Sequence, residues 1–165
     1  MIRVAILTVS DRSSQRERLD VSGPALAAEM LILGWETVKT GIVPDEKDQI
    51  QQTLQDWCDD SQVNLILTTG GTGFAPRDVT PEATLAVVEK LAPGLAEAMR
   101  AASLKVTPHA MLSRAVAGIR NKTLIVNFPG SPKAAVENLA VIAPVIPHAI
   151  ELLQDSPSAE KGHSL

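Results

Sequence analysis

Two aspartates and one glycine-rich stretch carry the chemistry that residue types and spacing suggest in this chain. Gly70-Gly71-Thr72-Gly73 follows an apolar run and precedes a helix start. Glycines so placed let the backbone approach a phosphate and offer it free N–H groups; a tight strand-to-helix turn explains them equally well. The stretch is not a P-loop, because no Gly-Lys-Ser/Thr follows, and Pro76 stands where a dinucleotide fingerprint needs its third glycine. Asp45 reads as a helix cap or as a ligand, and Asp78 as a turn residue paired with Arg77 or as a ligand. A carboxylate about 4 Å from one phosphate charge costs about 4 kcal/mol at an effective dielectric of about 20. Two carboxylates beside a polyphosphate therefore require a divalent cation, Mg²⁺; if the two acids do not face one site, they are caps. Positive potential for such a ligand would come from helix N-termini, the glycine amides, Arg77, Arg114 and Lys133. Ser103, Ser113 and Asn127 lie on or near candidate loops and can hydrogen-bond a polar ligand.

Alternating short apolar runs and helical periodicities must position these groups. Arg3–Val9 is continuous and β-branched, as in a strand buried on both faces. Ser10–Asp20 reads as a mobile, Arg-rich loop. A helix capped by Ser22 follows, with a Leu26, Met30, Leu33 stripe and Gly34 at its end. Trp35–Val43 reads as a strand, and Pro44-Asp45-Glu46 opens a helix striped by Ile50, Leu54, Trp57 and Cys58. Asn64–Thr69 is the next buried strand and delivers the chain into the glycines. Thr80-Pro81-Glu82 reads as cap, first helical residue and first-turn acid of a helix running towards Lys90. After Pro93-Gly94 a helix carries Leu95, Ala98, Met99 and Ala102; Ala115–Ile119 and Thr123–Phe128 resemble two short strands. Pro129-Gly130-Ser131-Pro132 leads into a last helical stretch reaching Leu153, and the polar residues 155–165 read as a flexible tail beyond a single domain at 1–154. This alternation implies an α/β domain with a mainly parallel sheet covered on both faces. Ligands collect beyond the carboxyl ends of such strands, where Ser10-Asp11, Gly70–Gly73 and Asn127–Ser131 fall.

Composition narrows the function classes. The 165 residues carry 15 Lys+Arg against 19 Asp+Glu, a net charge of −4, which disfavours bulk binding to nucleic acid or anionic membrane. Two Phe, two Trp and no Tyr leave too few aromatics for a base-stacking platform. Cys58 is alone and reads as a packed thiol rather than a nucleophile. The three histidines share no metal-ligand spacing, and His109 and His148 read as packing or surface residues. No stretch approaches the roughly 18 apolar residues of a membrane span, so the expected compartment is the cytoplasm.

Leu67-Thr-Thr-Gly-Gly-Thr-Gly-Phe-Ala-Pro-Arg-Asp-Val-Thr-Pro-Glu-Ala-Thr84, with Thr8-Val-Ser-Asp11, Val43-Pro-Asp-Glu46, Met111-Leu-Ser-Arg114 and Asn127-Phe-Pro-Gly-Ser-Pro-Lys133 in the same order, closely resembles the molybdopterin adenylyltransferases. These are the bacterial Mog-type proteins and the G domains of gephyrin and of plant molybdenum-cofactor proteins. The resemblance runs from Arg3 to about Leu153. It implies a three-layer α/β/α sandwich around a mainly parallel sheet, a homotrimer, and Mg²⁺-dependent transfer of AMP from ATP to the terminal phosphate of molybdopterin, with a molybdenum insertase taking the product. By motif matching it implies Asp45 and Asp78 as catalytic acids and Mg²⁺ ligands. It places Ser10, Asp11, Gly70, Gly71, Thr72, Gly73, Asn127 and Gly130 around the nucleotide and pterin phosphates, and Ser103 and Ser113 at molybdopterin. A non-catalytic binding or scaffold protein of the same family is the alternative. One departure stands out: relatives carry Asp-Arg-Ser-Gly before the first helix, whereas this chain has Asp20-Val21-Ser22-Gly23, preceded by Arg12, Arg16 and Arg18.

Overall fold

A computed structural model describes residues 1–155. Its centre is a six-stranded sheet of order β2-β1-β3-β6-β5-β4, formed by β1 (Arg3–Val9), β2 (Glu36–Val43), β3 (Leu65–Thr69), β4 (Lys90–Leu91), β5 (Ala117–Arg120) and β6 (Thr123–Phe128). β2, β1, β3 and β6 pair in parallel, and β5 and β4 are added antiparallel at one edge. The sheet is thus mixed, with helices on both sides.

Period-two alternation splits the apolar strands between two cores. Val4, Ile6, Leu65, Leu67, Leu124, Val126 and Phe128 pack against α2 (Ser22–Leu33), α5 (Pro93–Leu104), α6 (Pro132–Ile142) and α7 (Ile146–Leu153) through Leu26, Met30, Met99, Leu139, Ile142, Ile146 and Ile150. Ala5, Leu7, Val9, Ile66 and Ile125 face the opposite way, against Ile50, Leu54 and Cys58 of α3 (Lys47–Cys58) and Ala83 and Val87 of α4 (Thr80–Val87). Each large aliphatic or aromatic side chain so buried contributes roughly 1.5–3 kcal/mol, so both helical layers are fixed to the strands whose ends carry the polar loops.

Several local expectations change. The stretch expected as a mobile loop at Ser10–Asp20 begins with a one-turn helix, α1 (Asp11–Ser14), whose Ser13 N–H is capped by the Ser10 hydroxyl. Ser22 is not the cap of α2: Asp20 accepts from the Gly23 N–H and the Ser22 hydroxyl, because its carboxylate reaches back from one residue before Val21. Leu33, the expected end of the α2 stripe, is partly exposed. Thr80 is likewise the first residue of α4 rather than its cap, its hydroxyl being spent elsewhere. α4 stops at Val87 instead of continuing to Lys90, since Lys90-Leu91 pairs with β5. The continuous helical run 132–153 is 22 residues long and apolar enough to meet the length and composition of a membrane span, contrary to expectation. Here its apolar positions pack on the sheet, as the core contacts of Leu139, Ile142, Ile146 and Ile150 show. Apart from Asp155, the expected tail at 155–165 lies outside the described residues.

Candidate active site

Strand order reverses at β1, which pairs with β2 on one side and β3 on the other. The crevice beyond the carboxyl ends of β1 and β3 is therefore the switch point of the sheet. Two glycines are required there. Gly70 has φ +100°, and a Cβ on it would collide with the Val9 carbonyl. Gly71 has φ +67°, and a Cβ would collide with the Thr80 hydroxyl.

Every carbonyl of the glycine loop is turned inward and held. The Thr80 hydroxyl donates to Gly70 O at 2.9 Å, and the Thr80 N–H to Gly71 O at 3.1 Å. Arg114 donates its N–H to Thr72 O at 2.8 Å and its Nε to Gly73 O at 2.7 Å, while its Nη2 holds Asp78 O at 2.7 Å. The Gly70 N–H is taken by Phe128 O at 3.1 Å. Among the described residues the N–H groups of Gly71, Thr72 and Gly73 have no protein acceptor. Three donors pinned in place with no partner form a site for an anion.

The two acids flank those donors. Asp45 Oδ1 lies 3.1 Å from where a Cβ would stand on Gly71, and Asp78 Oδ2 lies 2.9 Å from the same point on Gly73. Asp78 also closes its own turn by accepting from the Ala75 N–H at 3.1 Å. Burial pushes the Asp45 carboxyl up, reinforced by the charges of Asp11 and Asp78 and opposed by the Asp11 N–H bond and Arg77. Asp45 and Asp11 exchange backbone-to-carboxylate bonds: Asp11 N–H donates to Asp45 Oδ2 at 2.8 Å, and Asp45 N–H to Asp11 Oδ1 at 3.0 Å. The Arg77 guanidinium grips Asp11 through two bonds at 2.9 Å and reaches Glu46 at 2.8 Å. That hydrogen-bonded cation holds Asp11 below the usual carboxylate range. Asp11 is thus a strut that positions Asp45.

Two cavities meet at the glycine loop. One, of about 350 Å³, is polar and lined by Ser10, Ser13, Arg18, Asp20, Asp45, Gly70, Gly71, Asp78, Gly130 and Ser131. The other, of about 280 Å³, has mainly apolar walls and is lined by Thr72, Gly73, Met99, Arg100, Ser103, His109, Leu112, Ser113 and Pro129, among others. Consecutive loop residues face different cavities, Gly70-Gly71 one and Thr72-Gly73 the other. Pro129 and Gly130 divide in the same way.

The sequence-predicted residues accordingly separate. Asp45, Asp78, Ser10, Gly70, Gly71 and Gly130 come together in the polar cavity, and Ser103, Ser113, Thr72 and Gly73 in the apolar one. Asp11 lines neither cavity. Asn127 lies at the apolar cavity but is fully buried: its amide donates to Thr68 and Thr84 Oγ1 at 2.9 Å each and accepts from Val116 N–H. It braces the wall. Ser103 donates to Asn138 at 2.8 Å, and Ser113 accepts weakly from Ala115 N–H at 3.4 Å. Of the expected cations, Arg77 is spent on Asp11 and Glu46, Lys133 pairs with Glu137 at 3.8 Å, and Arg114 binds the loop carbonyls and Glu82. Burial raises the Glu82 carboxyl, and the Arg114 contact more than reverses it.

Sequence reasoning missed Arg100 and the place of His109. Arg100 caps the Ala115 carbonyl at 2.8 Å at the cavity wall. Ala96, Met99, Arg100 and Ser103 recur at helical spacing on α5 and all line the cavity, so a stripe grading from apolar to polar was the available signal. Arg18 was set aside with the Arg-rich loop, yet it lines the polar cavity.

Residues 5–148 match the family model described as "Probable molybdopterin binding domain". A molybdopterin adenylyltransferase of Helicobacter pylori is 46% identical over 92% of this chain and 88% of its own. Gephyrin of Dictyostelium discoideum is 47% identical over 94% of this chain, which spans only 23% of gephyrin's length; for cinnamon of Drosophila melanogaster the share is 26%. Among solved structures, the molybdopterin biosynthesis enzyme MoaB of Thermus thermophilus superposes with TM-score 0.89 at 48% identity, covering 95% and 99% of the two chains.

Proposed function

The chain belongs to the molybdopterin-binding-domain family, and from that premise we propose that it is a molybdopterin adenylyltransferase, joining AMP from ATP to the terminal phosphate of molybdopterin with release of pyrophosphate. One observation carries the reading: a polar cavity and a mainly apolar cavity share a wall of glycine-loop backbone with three unpartnered N–H donors, flanked by two carboxylates. The polar cavity takes the ATP phosphates and the apolar cavity the pterin. The two phosphate groups that react then meet at Gly70–Gly73.

No protein nucleophile is needed. An ionised oxygen of the molybdopterin phosphate attacks the α-phosphorus of ATP, the α–β bridging bond breaks, and its electron pair leaves with pyrophosphate. The protein's task is positioning and charge stabilisation. The Gly71, Thr72 and Gly73 N–H groups hold phosphate oxygens, and the Thr80 and Arg114 bonds behind them fix the direction in which they point. Ser103, Ser113 and Arg100 orient the pterin side.

The donor set also suits Mg²⁺. Among the described residues no group of three or more His, Cys, Asp or Glu gathers at one point, but Mg²⁺ commonly takes only one or two carboxylates and completes its shell with water and substrate phosphates. Asp45 and Asp78 face the same donors, and each raises the cost of charge on Asp45's side of the cavity. They would hold the ion, which when bound neutralises the triphosphate that two bare carboxylates would repel.

Pyrophosphate release from ATP, measured with and without molybdopterin, tests the reading. Release that needs both substrates supports it; binding of both without release makes the chain a non-catalytic binding protein. A homotrimer, checked by sedimentation, and a molybdenum insertase as consumer of the product belong to the same reading.

A further inference from the structure

We propose that Arg18 binds the β- and γ-phosphates of the nucleotide and stabilises them as they depart as pyrophosphate; this rests on the adenylyl-transfer reading of the polar cavity. The charged side chains lining that cavity are three carboxylates, Asp20, Asp45 and Asp78, and one guanidinium, Arg18. Metal neutralisation leaves the nucleotide still anionic, so a cavity of this charge needs a cation of its own. The other basic groups around the glycine loop are engaged: Arg77 by Asp11 and Glu46, Arg114 by Glu82 and the loop carbonyls, and Lys133 by Glu137. Among the described residues the Arg18 side chain has no hydrogen-bond or ion-pair partner.

The chain is folded to bring Arg18 there. The Ser10 hydroxyl caps α1. Arg16 then takes the left-handed conformation at φ 60°, and the N–H groups of Glu17 and Arg18 both turn back onto the Arg12 carbonyl, at 2.9 and 3.2 Å. A non-glycine residue in that region is uncommon and costs conformational energy, so the turn is held by its bonds rather than by preference. Of the three arginines in this segment, Arg18 lines the cavity while Arg12 and Arg16 do not. Exposed at the rim, Arg18 can swing onto two phosphate oxygens through its forked donors. It serves the leaving group: as the α–β bridging bond breaks, the electron pair moves onto a pyrophosphate oxygen within reach of the guanidinium.

The test compares wild type with Arg18→Ala, Arg18→Lys and Arg12→Ala. Steady-state kinetics are read separately for Mg-ATP and molybdopterin, and Mg-pyrophosphate affinity is measured by calorimetry, which needs no turnover. Arg18→Ala should raise both the Kd for Mg-pyrophosphate and the KM for Mg-ATP by about 10–100-fold, leaving the KM for molybdopterin unchanged. Arg18→Lys should recover part of the loss, since a point charge cannot replace the fork, and Arg12→Ala should match wild type. Wild-type values for Arg18→Ala in both measurements, or a change confined to the molybdopterin KM, would overturn the proposal. A wild-type protein that binds Mg-pyrophosphate through Arg18 yet adenylylates nothing would sink the transferase reading while leaving the polyphosphate contact standing.

Discussion

Replacing Gly71 by alanine isolates the geometry on which the glycine loop depends. Two costs can be worked out. The backbone at φ +67° penalises a Cβ by about 1–2 kcal/mol. The added methyl also meets the Thr80 hydroxyl, which is fully buried and pinned by its bond to Gly70 O at 2.9 Å. Moving it forfeits a buried hydrogen bond, about 1–3 kcal/mol, for a total of about 2–5 kcal/mol. At this chain size 1 kcal/mol corresponds to roughly 2–4 °C in Tm, so a loss of about 3 kcal/mol lowers Tm by roughly 6–12 °C. Gly34→Ala is an internal control, because Gly34 has φ +70° with nothing within 4 Å of its would-be Cβ; it should cost only the first contribution. In a Thr80→Ala background the cost of Gly71→Ala should fall towards that of Gly34→Ala, an interaction energy readable from a double-mutant cycle. Urea unfolding supplies the energies, and pyrophosphate release at a temperature where all variants are folded supplies the activity, which should fall sharply for Gly71→Ala. Equal costs at positions 71 and 34, strict additivity with Thr80→Ala, or full activity of Gly71→Ala would refute the reasoning.

Asp78→Asn should cut turnover roughly 10²–10³-fold or more, the scale of one lost electrostatic element, with an unchanged melting curve; near-normal adenylylation by the folded variant would contradict its role. Asp45→Asn tests the charge on the other side. Burial, with Asp11 and Asp78 nearby, raises the native Asp45 pKa above its ordinary 3.8, so its ionisation opposes folding. That penalty is absent below the unfolded value and complete above the raised native one. Without metal, Asp45→Asn should therefore unfold at higher urea than wild type at neutral pH, and the two should converge in acid; a less stable variant at neutral pH would count against the assignment. Cys58 is buried and its thiol is pushed up to about 12, first by desolvation. A thiol-disulfide reagent should leave it untouched in the native protein at neutral pH and modify it only after denaturation, and rapid native labelling would place the thiol outside the core.

Much of this was legible in the sequence because it is local. The unbroken apolar runs at β1 and β3, the glycines following β3 and the stripe of Ile50, Leu54 and Cys58 depend only on neighbours along the chain. What could not be read is set by partners far away. Thr80 has the residue type and position of a cap, but its hydroxyl goes to Gly70, ten residues back. Arg77 and Arg114 looked like anion-binding cations, and distant carboxylates and carbonyls claim them. Asn127 sits in a motif that suggests a ligand contact, yet Thr68 and Thr84 from other elements consume its amide. The division of consecutive glycine-loop residues between two cavities follows from the left-handed turns at Gly70 and Gly71, which no periodicity encodes.

A crystal structure with Mg-ATP bound tests the central claim most directly. The account predicts the triphosphate against the Gly71–Gly73 amides on the Asp45 side, with metal density between Asp45, Asp78 and phosphate oxygens, leaving the cavity beside Ser103 and Ser113 for the second substrate. Nucleotide seated away from the glycine loop, with both carboxylates facing only solvent, would contradict it.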